Sequence, residues 1–267
     1  MTPGERLDTL EKVRHSAGGM LLTHVYEAIF DVGARSRGGT FVEIGTAHGA
    51  ATIALALGAR QQAAPYQIYT ADLFSGKHSS RSRYGSVERN LEIVKSNFDA
   101  FGVGANISVI AGSSAELVAA FNPTDIRVLI IDADGRIDRD LAVFYDRLAP
   151  GCTVILDDID GELKMLRTSG GLILDQKHRI GQALVERFIE HDVLRELNVI
   201  DSTGFYLKGE ASSPRFAEMS LPAYRELVFA DIENLRPDRL SVKGWLVQRF
   251  PALAMRYKRT RRRLKGT

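Results

Sequence analysis

The chain has 267 residues, 45% of them apolar and 25% charged, proportions that suit one large core with an appendage and exclude wholesale disorder. A single cysteine, Cys152, excludes an intramolecular disulfide framework and fits a reducing compartment. No apolar run reaches the roughly 20 residues of a membrane-spanning helix, and the N-terminus lacks the apolar core of a secretory signal, so the expected location is the cytoplasm.

The net charge of +2 conceals an asymmetry. Residues 256–267 carry seven Lys and Arg and no acid, which leaves 28 basic against 33 acidic residues in the rest of the chain. The body is mildly acidic and the basic character sits in a tail. Such a tail can dock on phosphates of lipid or nucleic acid, or remain solvated.

In chain order, Leu22, Val25, Tyr26, Ile29 and Phe30 mark a helix ending near Gly33. Ahead of it, Gly18 and Gly19 could hinge an N-terminal helical lid. Short apolar runs then predict strands at Thr40–Ile44, Gln67–Asp72, Ile107–Ala111, Arg127–Asp132 and Thr153–Asp157. Their apolar residues are nearly continuous, as in a parallel sheet covered on both faces. Between them, Val87, Leu91, Val94, Phe98 and Phe101 share one helical face behind Ser86 as cap. Ile137, Leu141, Phe144, Tyr145 and Leu148 predict another helix, stopped by Pro150-Gly151. The segment 73–86, with Lys77, His78, Arg81 and Arg83, reads as a flap. The strand run gives out after Asp157, and Val193–Asp201 and Phe205–Lys208 then flank Ser202-Thr203-Gly204 as an antiparallel hairpin. The fold class is therefore α/β, a doubly wound, mainly parallel sheet with a terminal antiparallel hairpin. A composition shift after Gly209 divides the chain into a domain at 1–210 and a helical extension with basic tail at 211–267.

The first strand runs into Glu43-Ile44-Gly45-Thr46-Ala47-His48-Gly49 and then a helix. Glycines at a strand-to-helix turn let backbone approach a ligand and aim helix N–H groups at it. The spacing G-x-x-x-G departs from the dinucleotide fingerprint, with Ala47 in place of its middle glycine. The second strand ends at Asp72, where such folds place an acid for ribose hydroxyls. Gly112-Ser113-Ser114 follows the third strand and suits the rim of an adenine pocket. Asp132 and Asp134 follow the fourth strand and Asp157-Asp158 the fifth, all at carboxyl ends where open α/β sheets put ligands. His48 and His78 read as ordinary surface histidines more readily than as bases.

Across residues 20–209 the chain resembles the class I S-adenosylmethionine-dependent methyltransferases, with Glu43–Gly49 similar to their first motif and Asp72 to their ribose-binding acid. More narrowly, Asp72-Leu73-Phe74-Ser75-Gly76 is similar to the D-x-F-x-G of the macrocin-type sugar O-methyltransferases. Asp132-Ala133-Asp134, Leu148-Ala149-Pro150-Gly151 and Asp157-Asp158 resemble their remaining signature. Ala133 and Cys152 stand where that signature has glycine, and Ile159 where an aromatic is common. The resemblance implies a seven-stranded sheet with one reversed strand and S-adenosylmethionine as cofactor. The cofactor would contact Glu43, Gly45, Thr46, Ala47, Gly49, Asp72, Leu73, Ser113, Ser114 and Asp132. It implies a divalent cation, Mg²⁺ by ligand type, on Asp132, Asp157 and Asp158. It also places Asp134 where such enzymes carry a general base, with Asp132 beside it.

Because an alcohol is a poor nucleophile near neutral pH, a bound cation would lower the pKa of the acceptor hydroxyl. The leading function is therefore O-methylation of a sugar or other polyhydroxylated natural product. A phenol of the catechol type and a non-catalytic, cofactor-binding scaffold are the alternatives. Nucleic acid is disfavoured: the Asn/Asp-Pro-Pro-Tyr signature of amine methylation is absent after the fourth strand, and the tail lacks aromatics interleaved for base stacking. A homo-oligomer is compatible with everything above. Residues 241–267 place Trp245, Leu246, Val247 and Phe250 beside the arginine run. These are ingredients of an interfacial segment that could hold the enzyme peripherally at the inner membrane surface.

Overall fold

The computed structural model describes residues 2–74, 85–162, 164–168 and 171–235. The core of the expected flap, and the tail with its Trp245 segment, lie outside the described residues. The chain forms two compact units, Met1–Ser220 and Leu221–Thr267.

In the first unit, helices α1 (Pro3–Ser16) and α2 (Thr23–Arg35) precede strand β1 (Gly39–Ile44). Then come α3 (Ala50–Ala59), β2 (Tyr66–Asp72), α4 (Val87–Ala100), β3 (Ile107–Ala111), α5 (Ser114–Phe121) and β4 (Ile126–Ile131). They are followed by α6 (Ile137–Phe144), β5 (Leu148–Leu156), β6 (Lys164–Thr168), β7 (Gly171–Asp175), α7 (Lys177–Glu190), β8 (Leu194–Ile200) and β9 (Thr203–Lys208). Helix α8 (Phe216–Leu235) contains Pro222; residues 221–235 are the described part of the second unit. No helix among the described residues is long and apolar enough to cross a membrane.

Seven strands make one sheet in the order β3-β2-β1-β4-β5-β9-β8. Strands β1 to β5 run parallel, and β9 pairs antiparallel with both β5 and β8. The order reverses between β1 and β4, which opens a crevice at their carboxyl ends. One face carries a core cluster that joins Leu10 and Val13 of α1 with Ile29 and Phe30 of α2. The same cluster takes in Ile53 and Leu55 of α3, Phe98 of α4, and Phe41, Ile68 and Ile130 of the sheet. Helices α2 and α3 approach closely because two glycines face each other's backbone. A Cβ on Gly33 would strike the Leu55 carbonyl, and one on Gly58 the Phe30 carbonyl. By strand alternation, buried Val42, Leu129, Ile131 and Val154 point to the opposite face. There α5, α6 and α7 bring Leu117, Leu141, Phe144, Leu184 and Phe188.

Three details differ from the sequence-based expectation. The helix at 137–148 stops at Phe144, a 3-10 turn covers Tyr145–Arg147, and Leu148 already belongs to β5. Pro150-Gly151 then sits inside that strand, where the β4–β5 register slips, so the missing proline N–H breaks no ladder bond there. The hairpin turn is tighter than expected: Ile200 pairs with Thr203, leaving Asp201-Ser202 as the turn. The strand run does not end at Asp157 either, because β6 and β7 form a small antiparallel sheet of their own.

Candidate active site

The crevice is built by ladder hydrogen bonds that continue one residue past the strands. The N–H of Gly45 donates to the Ala71 carbonyl (2.8 Å), that of Asp132 to Ile44 (2.8 Å), and that of Asp157 to Ile131 (3.2 Å). Gly45, Asp132 and Asp157 therefore stand at one level. Gly45 has φ +98°, and any side chain there would collide with the Asp132 backbone, so the turn requires glycine. Gly49 caps α3, also at positive φ, and Ala47 between them has φ +46°.

Asp72 ties this turn to the next loop. One carboxylate oxygen accepts the Ala47 N–H (2.8 Å) and the other the Phe74 N–H (2.7 Å). Each oxygen keeps acceptor capacity for a ligand hydroxyl. Helix α4 supports both loops from behind. The Asn97 amide donates to the His48 carbonyl (2.9 Å), and the buried Asn90 donates to the Phe74 carbonyl (3.1 Å). Both amides lie on a helix whose sequence suggested only a core stripe. Two asparagines seven residues apart, Asn90 and Asn97, are the signal that was there to read. Leu73 is exposed beside Asp72. Gly18 and Gly19 lie against the turn, next to His48, Tyr26 and Ala50.

Glu43 takes no position in the open crevice. It is 1% exposed and accepts hydrogen bonds from Thr52, and from Thr70 at 3.2 Å, while Thr70 also pairs with Thr46. Burial pushes its pKa up to about 8, so the carboxyl is largely protonated at neutral pH. Ser113 caps α5 in a reciprocal box with Glu116, and the buried Ser114 hydroxyl donates to Asp140 (2.7 Å).

Asp140 belongs to a chain that reaches Asp134. Arg139 donates to Asp140 (2.8 Å) and forks onto both oxygens of Asp134 at 3.0 Å each. Partial burial alone would raise the Asp134 pKa, but the Arg139 fork and the Arg136 N–H (3.1 Å) together outweigh it and hold the carboxyl below its ordinary value.

The acids after β4 and β5 do converge. Oxygens of Asp132, Asp157 and Asp158 lie within 4.8 Å of one another. Octahedral Mg²⁺ with ligands at about 2.0–2.1 Å needs oxygens roughly 3–4 Å apart, and it prefers carboxylates. The donor set thus fits a hard divalent cation after small rotations. Asp157 is oriented by the hydroxyls of Thr203 (2.6 Å), the first residue of β9, and of Ser202 (3.2 Å) in the hairpin turn. Asp158, at φ +60°, meets His178 Nε2 at 2.7 Å, and His178 Nδ1 meets Asp160 at 2.6 Å. Burial raises the Asp132 pKa, and its acidic neighbours add to this against the pull of Lys177.

Lys177 is the residue that sequence reasoning missed. Its Nζ sits 2.6 Å from Asp158 Oδ2 and 3.6 Å from Asp132 Oδ1. Burial would lower its pKa, but the surrounding carboxylates overturn that and keep it charged. The stripe Ile180, Leu184, Val185 and Phe188, with Asp175 receiving the Lys177 N–H (3.0 Å), was the available signal for α7. That the helix aims at the acids is visible only in three dimensions.

Residues 42–159 match the model of a methyltransferase-domain family. The matched segment starts in β1 and ends one residue after Asp158, so it holds the glycine turn, Asp72 and all three converging acids but not Lys177. Solved methyltransferases share the fold. An O-methyltransferase from Bacillus cereus, in complex with S-adenosylhomocysteine, is 15% identical over 76% of this chain and 90% of its own, with a TM-score of 0.54. The O-methyltransferase TomG from Streptomyces achromogenes, involved in tomaymycin synthesis and solved with S-adenosylmethionine, is 13% identical over 77% and 90%, at 0.52. An S-adenosylhomocysteine-bound methyltransferase from Podospora anserina is 15% identical over 79% and 89%, at 0.55. No curated protein sequence matches the chain.

Proposed function

We propose that this protein is a class I S-adenosylmethionine-dependent O-methyltransferase that methylates a hydroxyl of a sugar or other polyhydroxylated small molecule with help from a divalent cation. The observation that carries the reading is the convergence, at one level of the sheet's carboxyl edge, of the Gly45–Gly49 turn, Asp72, and the carboxylates of Asp132, Asp157 and Asp158. The methyltransferase-domain match over the same residues supports it.

In this reading Asp72, pre-oriented by two backbone N–H groups, accepts the ribose hydroxyls, and the side-chain-free Gly45 lets the cofactor lie against the turn. Its sulfonium is already a strong methyl donor, so the protein's work is alignment, exclusion of water and removal of the acceptor's proton. A cation held by Asp132, Asp157 and Asp158 would polarise the acceptor hydroxyl as a Lewis acid. Asp134 is assigned the proton at the rim; Arg139 fixes its orientation and lowers its basicity.

The test is turnover with S-adenosylmethionine against a panel of sugars, glycosides and catechols, read by mass spectrometry as a gain of one methyl group, with Mg²⁺ or with excess EDTA. Transfer to a saccharide hydroxyl that stops in EDTA supports the proposal. Transfer confined to catechols would move the acceptor class, and undiminished transfer in EDTA would remove the metal.

A further inference from the structure

We propose that Lys177 is the resident counter-ion of the Asp132–Asp157–Asp158 cluster, and that its ammonium and a divalent cation are alternative occupants of these carboxylates. The proposal rests on the metal reading above for the identity of the competing cation. Lys177 Nζ lies on Asp158 Oδ2 and near Asp132 Oδ1, so it engages two of the three carboxylates that converge. Two cations held against the same carboxylates repel strongly, so binding one disfavours the other.

The geometry indicates which partners stay. Asp157 is held by Thr203 and Ser202, and the second oxygen of Asp158 by His178, itself backed by Asp160. Those groups orient the carboxylates whether or not the ammonium is there. Lys177 reaches the cluster on a flexible four-carbon stem that can swing away. Gly135 leaves a slot for that stem, since a Cβ there would press on the Lys177 Cγ at 2.7 Å.

The position of the lysine in its own helix argues the same way. Lys177 is the first residue of α7, whose first turn carries no acid. A cation at a helix N-terminus opposes the macrodipole, so local helix stability does not explain it, whereas neutralising the acid cluster does.

The experiment is calorimetric titration of Mn²⁺ into wild-type protein, Lys177→Gln and Lys177→Arg. Lys177→Gln should bind about 1,000-fold more tightly than wild type, the factor that one pair of unit charges about 4 Å apart corresponds to at an effective dielectric near 20. Lys177→Arg should stay near wild type. Equal or weaker binding by Lys177→Gln overturns the proposal and leaves the metal reading standing. Binding by Lys177→Gln alone upholds it while refuting a metal in the native enzyme, and binding by neither refutes both. Should Lys177→Gln fail to fold, acetylation of wild-type lysines can be followed by mass spectrometry. Lys177 should be protected in EDTA and become reactive in Mn²⁺; protection that persists at Mn²⁺ concentrations where calorimetry shows binding overturns the proposal.

Discussion

Glu43 offers a direct test of the electrostatics beneath the glycine turn. Its carboxyl is 1% exposed, bonded among the described residues to the hydroxyls of Thr52 and Thr70, and burial lifts its pKa from an ordinary 4.5 to about 8. A group whose folded pKa is raised stabilises the fold fully below the unfolded value and loses that contribution as pH climbs through the folded one. The loss should therefore run between about pH 4.5 and pH 8. At about 1.4 kcal/mol per pH unit, that interval is worth up to about 5 kcal/mol. Glu43→Gln keeps an oxygen for Thr52 and Thr70 but cannot ionise, so it should match wild type near pH 5 and be the more stable protein at pH 8. Urea unfolding of both proteins at half-unit steps from pH 5 to 8.5, without cofactor, measures the difference directly. A wild-type-minus-variant stability that stays flat across this range would show that Glu43 titrates normally, and the reading of the threonine-lined pocket as desolvated would be wrong.

Asp72→Ala should weaken S-adenosylmethionine binding by roughly 10- to 150-fold, the value of a hydrogen bond to a charged acceptor, as read by calorimetry on folded protein. Asp157→Asn and Asp158→Asn should each abolish methyl transfer while cofactor affinity changes little; full turnover by either removes that residue from the catalytic cluster. The tail, with seven Lys and Arg in residues 256–267, should carry the protein to anionic vesicles in flotation at low salt, at about 1 kcal/mol per basic residue. That binding should fall with added salt and disappear when 256–267 are deleted.

What the sequence revealed follows from which interactions are local. Parallel strands announce themselves through continuous apolar runs, and β1 to β4 lie within one residue of their expected bounds at either end because Gly, Asp and Asn punctuate them. The position of Asp72 at a strand end was readable for the same reason, since strand ends are marked in the chain itself. The start of β5 was not. Leu148 continues the helical stripe of Ile137, Leu141 and Phe144, and only its pairing with Ile126 decides that it is extended. Glu43 and Ser114 show a second limit: an acid or a hydroxyl beside a ligand turn can be turned inward, and its partners, Thr52, Thr70 and Asp140, come from other elements.

The acid cluster shows the third limit, and the one with most bearing on function. Its members could be gathered from sequence because each follows a strand, but three carboxylates within 4.8 Å of one another repel unless a proton or a positive charge relieves them. The sequence alone offers a metal as the obvious supplier. The fold offers another, a lysine at the start of a helix beyond the matched domain, brought to the acids by the packing of α7 beside α6. In the proposed reaction, whether an ammonium or a metal ion holds those carboxylates would set how the acceptor hydroxyl is activated. A metal ion held by Asp132, Asp157 and Asp158 would polarise it as a Lewis acid, whereas a lysine in its place would leave deprotonation to a carboxylate alone. Asp134, with its basicity lowered by Arg139, is poorly suited to that unaided task, and this mismatch is the strongest reason to expect the lysine to give way to a metal in the proposed reaction.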